Sequence, residues 1–320
     1  MATTHRPRRI GAIVPLLLAL LATPMLAAPA GAGEPPAIER HEGPTPERDD
    51  GGTLGAVACL LEVASSDEFF GPAALAVPDE DILLWGEGWA AAGAVDLWAE
   101  HPSFPAEYFP ILTEPSGVFF EVFAASRGAY GTWTFNAYQG SPDCTASVAV
   151  DVLPLADVLT NRFLHDIKWL YHEGITSGCG GDLYCPNGSV TRGQMATFLV
   201  RALGLPPTST DYFTDDAGNK HEGNINRLRA AGITVGCTPT TYCPDGIVTR
   251  GQMATFLVRA FDLGPTSTDY FTDDAGNKHE GNINRLRAAR ITYGCTETRY
   301  CPDGAVTRGQ MAAFIHRAKR

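Results

Sequence analysis

The string TRGQMATFLVRA fills residues 191–202, returns unchanged at 249–260 and recurs as TRGQMAAFIHRA at 307–318, a period of 58 residues. A fixed internal period is the tightest constraint on this fold, because each copy must form the same unit and one such unit is too small to bury a core alone. Thr191, Thr249 and Thr307 are placed to cap a helix, and Gln194, Gln252 and Gln310 stand three residues later to complete a capping box. Met195, Phe198, Leu199 and Ala202 then fall at i, i+3, i+4 and i+7, one apolar stripe. Upstream, Ile225, Leu228 and Ala231 make a shorter stripe, matched by Ile167 and Leu170 in the first copy and Ile283 and Leu286 in the third. A left-handed helix end is expected next, at Gly174, Gly232 and Arg290, with Ile233 as a hydrophobic plug. At Arg290 a positive φ would cost about 1 kcal/mol relative to glycine. Each unit reads as helix, loop, helix, and three units must stack.

The loop between the helices carries CGGDLYC, CTPTTYC or CTETRYC. With Cys59 and Cys144 farther upstream this makes eight cysteines. The spacing suggests four disulfides: Cys59 with Cys144, Cys179 with Cys185, Cys237 with Cys243 and Cys295 with Cys301. Closing the short rings contributes roughly 2 to 2.5 kcal/mol each on the chain-entropy account. Zinc is a poor alternative, since two cysteines per unit supply half of a tetrahedral site. No metal and no cofactor is expected.

Arg192, Arg250 and Arg308 open the second helix of each unit, at the positive end of its dipole, where a cation needs a negative neighbour. Two neighbours fit: an internal carboxylate (Asp157, Asp215 or Asp273), or an anionic ligand gripped by the guanidinium. The sequence leaves both open. Units two and three also share PTSTDYFTDDAGNKHEGNINRLRAA without a change. Asp215, Asp216, Asn219 and Glu222 in that stretch do not have the spacing of an EF-hand loop, and solvent-exposed capping of a helix start accounts for them. His221 and His279 are expected to be exposed on that helix start.

Residues 54–153 alternate instead. AVDLWAE puts Val95, Leu97 and Ala99 on one face, GVFFEVF puts Val118, Phe120 and Val122 on one, GTWTFNAY aligns Trp133, Phe135 and Ala137, and TASVAVDV aligns Ala146, Val148, Val150 and Val152. A period of two over several short segments predicts half-buried strands in a two-sheet sandwich. The strings GEGWAAAGAVDL, PSGVFFEVF and GAYGTWTFNAY resemble bacterial extracellular immunoglobulin-like modules. Trp85, Trp89 and Trp98 are the aromatic residues to consider for sugar stacking, with packing the simpler role and Trp98 the best exposed. Glu87, Glu100, Glu114 and Glu121 form no recognisable catalytic pair, and no enzyme is expected.

The order F-x-D, I-x-x-L-x-x-x-G-I-x-x-G and P-x-G-x-V-T-R-G-Q-M-A-x-F-L-x-R-A resembles the S-layer homology repeat over 155–320. The resemblance implies three tandem repeats in a pseudo-threefold arrangement that attaches without covalent bonds to anionic cell-wall polysaccharide, often pyruvylated. The family's functional arginine, in T-R-A-E, corresponds to Arg192, Arg250 and Arg308, while T-R-G-Q replaces the alanine and the glutamate. Leu155 stands where the other units have Phe213 and Phe271, and the paired cysteines resemble a disulfide-bearing branch.

Residues 1–32 read as a signal peptide: Arg6, Arg8 and Arg9, then an apolar run, then Ala30-Gly31-Ala32. Residues 33–53 read as a flexible linker. The remaining segments are a β-sandwich (54–153) and repeats at 154–206, 207–264 and 265–320. Losing the signal moves the formal charge from −12 to about −15, which disfavours nucleic acid as a partner. No transmembrane segment is expected in the mature chain, and self-assembly is left open. The leading expectation is a non-catalytic surface protein in the cell wall or S-layer; the alternative is a structural or adhesive scaffold whose sandwich binds a protein or glycan.

Overall fold

A computed structural model describes residues 59–65, 74–89, 93–140 and 143–320. The signal peptide and linker expected at 1–53 lie outside the described residues. Among those described, eight strands precede six helices. The strands are β1 (Leu60–Ser65), β2 (Ala74–Ala76), β3 (Ile82–Glu87), β4 (Ala94–His101), β5 (Phe104–Leu112), β6 (Phe119–Phe123), β7 (Gly131–Gly140) and β8 (Asp143–Val152). The helices are α1 (Leu164–His172), α2 (Arg192–Leu203), α3 (Glu222–Ala230), α4 (Arg250–Ala260), α5 (Glu280–Ala288) and α6 (Arg308–Lys319).

The strands form two sheets, ordered β1-β3-β6 and β2-β8-β7-β4-β5, with β2 parallel to β8. This is the strand order of an immunoglobulin-type sandwich in which the first strand divides between the sheets. Val95, Leu97, Ala99, Trp133, Phe135 and Ala137 are buried between them as the alternation predicts, and Ala146 and Val148 pack at the margin of Val150 and Val152. In β6 the expected face is wrong by one residue. Phe119 and Phe123 enter the core, while Val118, Phe120 and Val122 are only half-buried. Both faces of this segment are apolar, so alternation could not choose between them. Trp89 is also core, its indole N–H donating to the Leu60 carbonyl at 3.0 Å. The Cys59–Cys144 disulfide ties the residue before β1 to β8 and so joins the two sheets.

In the repeats the helices that pack together come from different units: α2 against α3, α4 against α5, and α6 back against α1. One chain therefore closes a three-membered ring, the pseudo-threefold arrangement implied by the resemblance. At its centre Val190 N–H donates to Val306, Val306 to Val248 and Val248 to Val190, at 2.9 to 3.0 Å. Met195, Leu199, Ile225, Leu228 and Ile233 are buried as expected, whereas Ala231 is an exposed helix end. All three capping boxes are formed. The sandwich docks on the first unit through a buried Lys168–Glu80 pair at 3.1 Å and through Asp182, which accepts from Arg127 and Tyr130.

The three short disulfides, Cys179–Cys185, Cys237–Cys243 and Cys295–Cys301, are present with the expected pairing. One detail of these rings departs from the sequence reading, which placed left-handed residues only at helix ends. The second cysteine of each ring, Cys185, Cys243 or Cys301, takes a positive φ of 59° to 60°. The ring has to turn back sharply there before the Pro and Asn-Gly or Asp-Gly turn that leads into the second helix, and nothing in the local residue types announces it. In units two and three a carboxylate, Asp215 or Asp273, comes close to both sulfurs of the ring, while no such group forms around Cys179 and Cys185 among the described residues. Both sulfurs of each ring are spent in its disulfide.

The left-handed helix ends are present, with φ of 66° at Gly174, 73° at Gly232 and 59° at Arg290. Arg290→Gly should therefore stabilise the repeat domain by about 0.5 to 1 kcal/mol. Chemical denaturation checks this, with Gly232→Ala, expected to destabilise by about 1 kcal/mol, as the mirror control.

Candidate functional site

The three arginines are buried, 6% to 8% exposed, and no carboxylate among the described residues forms an ion pair with them. Arg192 Nε donates to the Tyr242 carbonyl at 2.7 Å, and the Tyr242 hydroxyl donates back to the Arg192 carbonyl at 2.9 Å. The guanidinium carbon lies 4.6 Å from the centre of the Tyr242 ring, a cation–π distance. Arg250 makes the same set with Tyr300, and Arg308 makes it with Tyr184, 124 residues back in the chain. Each contact crosses a unit boundary, and the third closes the ring. Burial holds the three guanidinium pKa values below their ordinary position and the three phenols above theirs.

Asp157, Asp215 and Asp273 form no close ion pair with these arginines; each attracts one at longer range, Asp157 for Arg308, Asp215 for Arg192 and Asp273 for Arg250. Their carboxylates clamp the cysteine loop of their own unit. Asp157 accepts from the backbone N–H of Tyr184 and of Cys185, both at 2.7 Å. Asp215 does the same with Tyr242 and Cys243, and Asp273 with Tyr300 and Cys301. The geometry explains why: a tyrosine gripped through its N–H by its own unit can offer its carbonyl to the arginine of the preceding one.

The helix starts are also not free to meet an anion through their amides. Arg192 and Gly193 N–H groups donate to Gly246 and Pro244 carbonyls at 2.8 Å, and both other junctions repeat this. These carbonyls supply the negative end that the helix dipole requires. The glycine of T-R-G-Q has a packing reason as well. A Cβ at Gly193 would lie 2.8 Å from the His221 ring, at Gly251 2.9 Å from His279, and at Gly309 2.6 Å from Phe163. An alanine would have to displace the ring that opens the next unit's first helix.

What remains open is a cleft of about 310 Å³ lined by Gly178, Cys179, Gln194, Thr197, Arg201, Lys220, His221, Asn224 and Arg308, among others, with no carboxylate among its described lining residues. Of the first ring's two cysteines, Cys179 borders this cleft, whereas Cys185 is turned to the Asp157 clamp. Arg308 Nη2 donates to the Gly178 carbonyl at 3.1 Å, but the corresponding Nη2 of Arg192 and of Arg250 has no partner among the described residues. Thr197 links His221 at 2.8 Å and Asn224 at 2.9 Å, and Thr255, His279 and Asn282 repeat the triad one unit later. The third junction differs. There Asp166 replaces the asparagine and pairs with buried His316 at 2.8 Å. Sequence reasoning missed the tyrosines, although Tyr stands before the second cysteine in all three loops; it also missed Lys220 and Lys278.

His221 and His279 are half-buried rather than exposed, and Asp216 and Asp274 are fully buried, not the solvated caps expected. Burial, then the nearby Asp211 and Asp269 carboxylates, push the Asp216 and Asp274 carboxyl pKa values up, that of Asp274 to about 6. In the sandwich, Trp98 is partly covered and its indole donates to Glu100. Across β4, β5 and β7, Trp98 lies beside Tyr108, and Asp96 beside Tyr138, on the outer face.

Comparison with known proteins agrees with the repeat geometry. The S-layer homology domain matches residues 165–196 and 213–254. An endoglucanase of Bacillus sp. (strain KSM-635) is 35% identical over 113 residues, 35% of this chain and 12% of that protein. An S-layer protein of Bacillus thuringiensis subsp. finitimus is 27% identical over 159 residues, 48% of this chain and 19% of that protein. S-layer protein sap of Bacillus anthracis matches to the same extent. The chain thus spans no more than about a fifth of the length of these relatives.

Two outcomes follow from the junction geometry. Gly193→Ala should cost about 1 to 3 kcal/mol by overpacking, and His221→Ala in the same chain should recover part of it; urea unfolding of the two single variants and the double variant checks this. Burial first, then Lys220 or Lys278, lowers the pKa of His221 and His279. Their contribution to stability is therefore complete above the unfolded value near 6.5 and is lost as pH falls through it toward the lower folded value. His221→Phe with His279→Phe, copying Phe163 of the first unit, should flatten that decline in a pH series of melting curves.

Proposed function

We propose that this chain, whose repeats carry an S-layer homology domain, is a non-catalytic cell-envelope protein held on an anionic wall polysaccharide by the clefts between its units. A secreted, cell-wall or S-layer location accords with that domain and with the resemblance to surface-layer proteins. The observation that carries the binding proposal is the cleft bordered by Arg308, Arg201 and Lys220, a cationic wall with no carboxylate among its described lining residues. By the 58-residue period, Arg192, Arg259 and Lys278 make a second such cleft. The third has Arg250, Arg317 and Arg162, with Asp166 already paired to His316, and is the weaker of the three. A polyanion that engages two or three clefts at once gains avidity from weak individual sites. Buried as they are, the arginines act first as ties between units and contribute chiefly their charge to the clefts.

A second reading has one specific observation in its favour. The outer face of the larger sheet carries Tyr108 at 59% exposure, Leu112 at 73% and Tyr138 at 38%, beside Trp98. An aromatic strip of this kind suits glycan stacking or a protein partner, in which case the sandwich supplies the specificity and the repeats the anchorage.

Co-sedimentation with wall sacculi separates these readings. The chain without residues 1–32 should bind intact sacculi and lose binding after mild acid removal of the attached polysaccharide. Lys220→Glu with Lys278→Glu should weaken binding at least tenfold while leaving the melting temperature unchanged, since neither lysine takes part in the interlocks. Undiminished binding after both treatments would contradict the proposal.

A further inference from the structure

Cross-strand pairing gathers aromatic and acidic side chains on the outer face of the larger sheet. There β4 presents Asp96, Trp98 and Glu100, and β5 presents Phe104, Ala106 and Tyr108. Trp98 lies opposite Tyr108 on one side and Asn136 of β7 on the other, and Glu100 lies opposite Thr134. Toward the turn between β4 and β5 this face sinks into a depression of about 520 Å³, lined by Glu100, His101, Phe104, Ala106, Thr132 and Thr134, among others. The rings of His101 and Trp133 hold Phe104 in place, at centroid distances of 4.9 and 5.9 Å.

Two of these aromatic side chains are each tied to a carboxylate. The Trp98 indole N–H donates to Glu100 Oε1 at 3.0 Å, and the Tyr108 hydroxyl donates to Asp96 Oδ1. Both rings have thus spent their own donors and offer a ligand ring surface, while each carboxylate keeps an oxygen with which to accept. The negative face of an aromatic ring suits the C–H side of a sugar, and a carboxylate suits its hydroxyls. Because the two pairs are already fixed, little side-chain freedom is lost when a ligand arrives.

Charge decides among the ligand classes. Strands β4, β5, β7 and β8 contain no lysine and no arginine. Their single histidine, His101, accepts the Ser103 N–H on Nδ1 at 3.0 Å and so donates through Nε2 to the Tyr130 carbonyl at 2.9 Å, which fixes a neutral ring. An anionic polymer of the kind proposed for the clefts is therefore repelled here by Asp96 and Glu100. A protein partner is disfavoured for another reason. Asp96 bonds Tyr108 and lies opposite Tyr138, and Glu100 adjoins Trp98, so a dry interface would bury two carboxylates at its centre, where charged residues are depleted. A polysaccharide brings its own hydroxyl donors to them.

We propose that the outer face of β4, β5 and β7 binds a neutral polysaccharide, with sugar rings stacked on Trp98 and Tyr108 and hydroxyls bonded to Asp96 and Glu100. The proposal rests on the reading in which the sandwich supplies the specificity and the repeats the anchorage. Phe104 and Tyr108 stand four residues apart on β5, about 13 Å along the strand, so the site takes a run of sugars and not a single ring. Thr132, Thr134 and Asn136 line its β7 side with further polar groups. One chain then carries two surfaces of opposite charge for two different polymers, the cationic clefts of the repeats and this acidic aromatic face of the sandwich.

Co-sedimentation of the chain lacking residues 1–32 with insoluble cellulose, chitin, β-1,3-glucan, β-mannan and starch tests the proposal. At least one of them should retain the chain, equally at about 0.15 M and about 1 M NaCl, since a neutral ligand leaves no attraction for salt to screen. Trp98→Ala with Tyr108→Thr should weaken that binding at least tenfold. Asp96→Ala with Glu100→Ala keeps both rings, should weaken it by a similar factor, and provides a second route if the aromatic variant folds poorly. Retention by none of these polysaccharides, retention lost at high salt, or retention unaltered in both double variants would overturn the proposal. If none of them binds, sacculi that keep their surface proteins separate two failures. Weaker binding of the aromatic variant there leaves a protein partner for the sandwich, and unchanged binding removes that reading as well.

Discussion

The repeat domain depends on one contact made three times, an arginine from the start of one unit laid across a buried tyrosine of the next. Each tyrosine is held through all its polar atoms: its N–H by an aspartate of its own unit, its carbonyl by the arginine side chain, its hydroxyl by the arginine backbone. Removing any partner leaves a buried donor or acceptor unsatisfied, which costs about 1 to 3 kcal/mol. The contact is also cyclic. Because Arg308 returns to Tyr184, the last unit is fastened to the first, and the chain does not end in an open hairpin.

The same contact sets the chemistry of the clefts. A guanidinium stays charged even when burial lowers its pKa, so an arginine bonded to carbonyls and a ring, with its nearest carboxylate engaged by backbone amides, brings positive charge to the unit boundary. With Arg201 and Lys220 added and no acid among the described lining residues, the cleft takes its character from a structural residue. A polyanion would therefore be read by the seams of the ring, which couples binding to the integrity of the fold. The third seam, with the Asp166–His316 pair, shows that the architecture survives when the cleft's charge is altered.

Most of the repeat fold was legible because its signals are local. Capping boxes, apolar stripes and left-handed helix ends are read over a few residues, and three copies repeated each one. The pairing of Cys179 with Cys185 and of its two counterparts was legible for the same reason, while the left-handed turn at Cys185, Cys243 and Cys301 was not, since cysteine carries no preference for it. The role of Asp157, Asp215 and Asp273 was not legible, because their partners are backbone amides about 27 residues away. Likewise, no residue pattern within a unit reveals that its helices pack on those of its neighbours. Glycine in T-R-G-Q looked like a departure, yet it answers a ring contributed by the following unit. In the sandwich, alternation failed at β6, where Phe119 and Phe120 offer both faces of the strand an aromatic side chain.

The central claim is that three interlocks close a single cooperative ring. The measurement that tests it most directly is hydrogen exchange at the Val190, Val248 and Val306 amides, which join the units at the centre, in the parent chain and in Tyr184→Phe. Phenylalanine deletes only the hydroxyl that donates to Arg308. A closed ring predicts that all three amides lose protection together, by about tenfold for a hydrogen bond worth about 1.4 kcal/mol. Loss confined to the seam between the third and first units, with Val248 unchanged, would show three units stacked in line and would contradict the account.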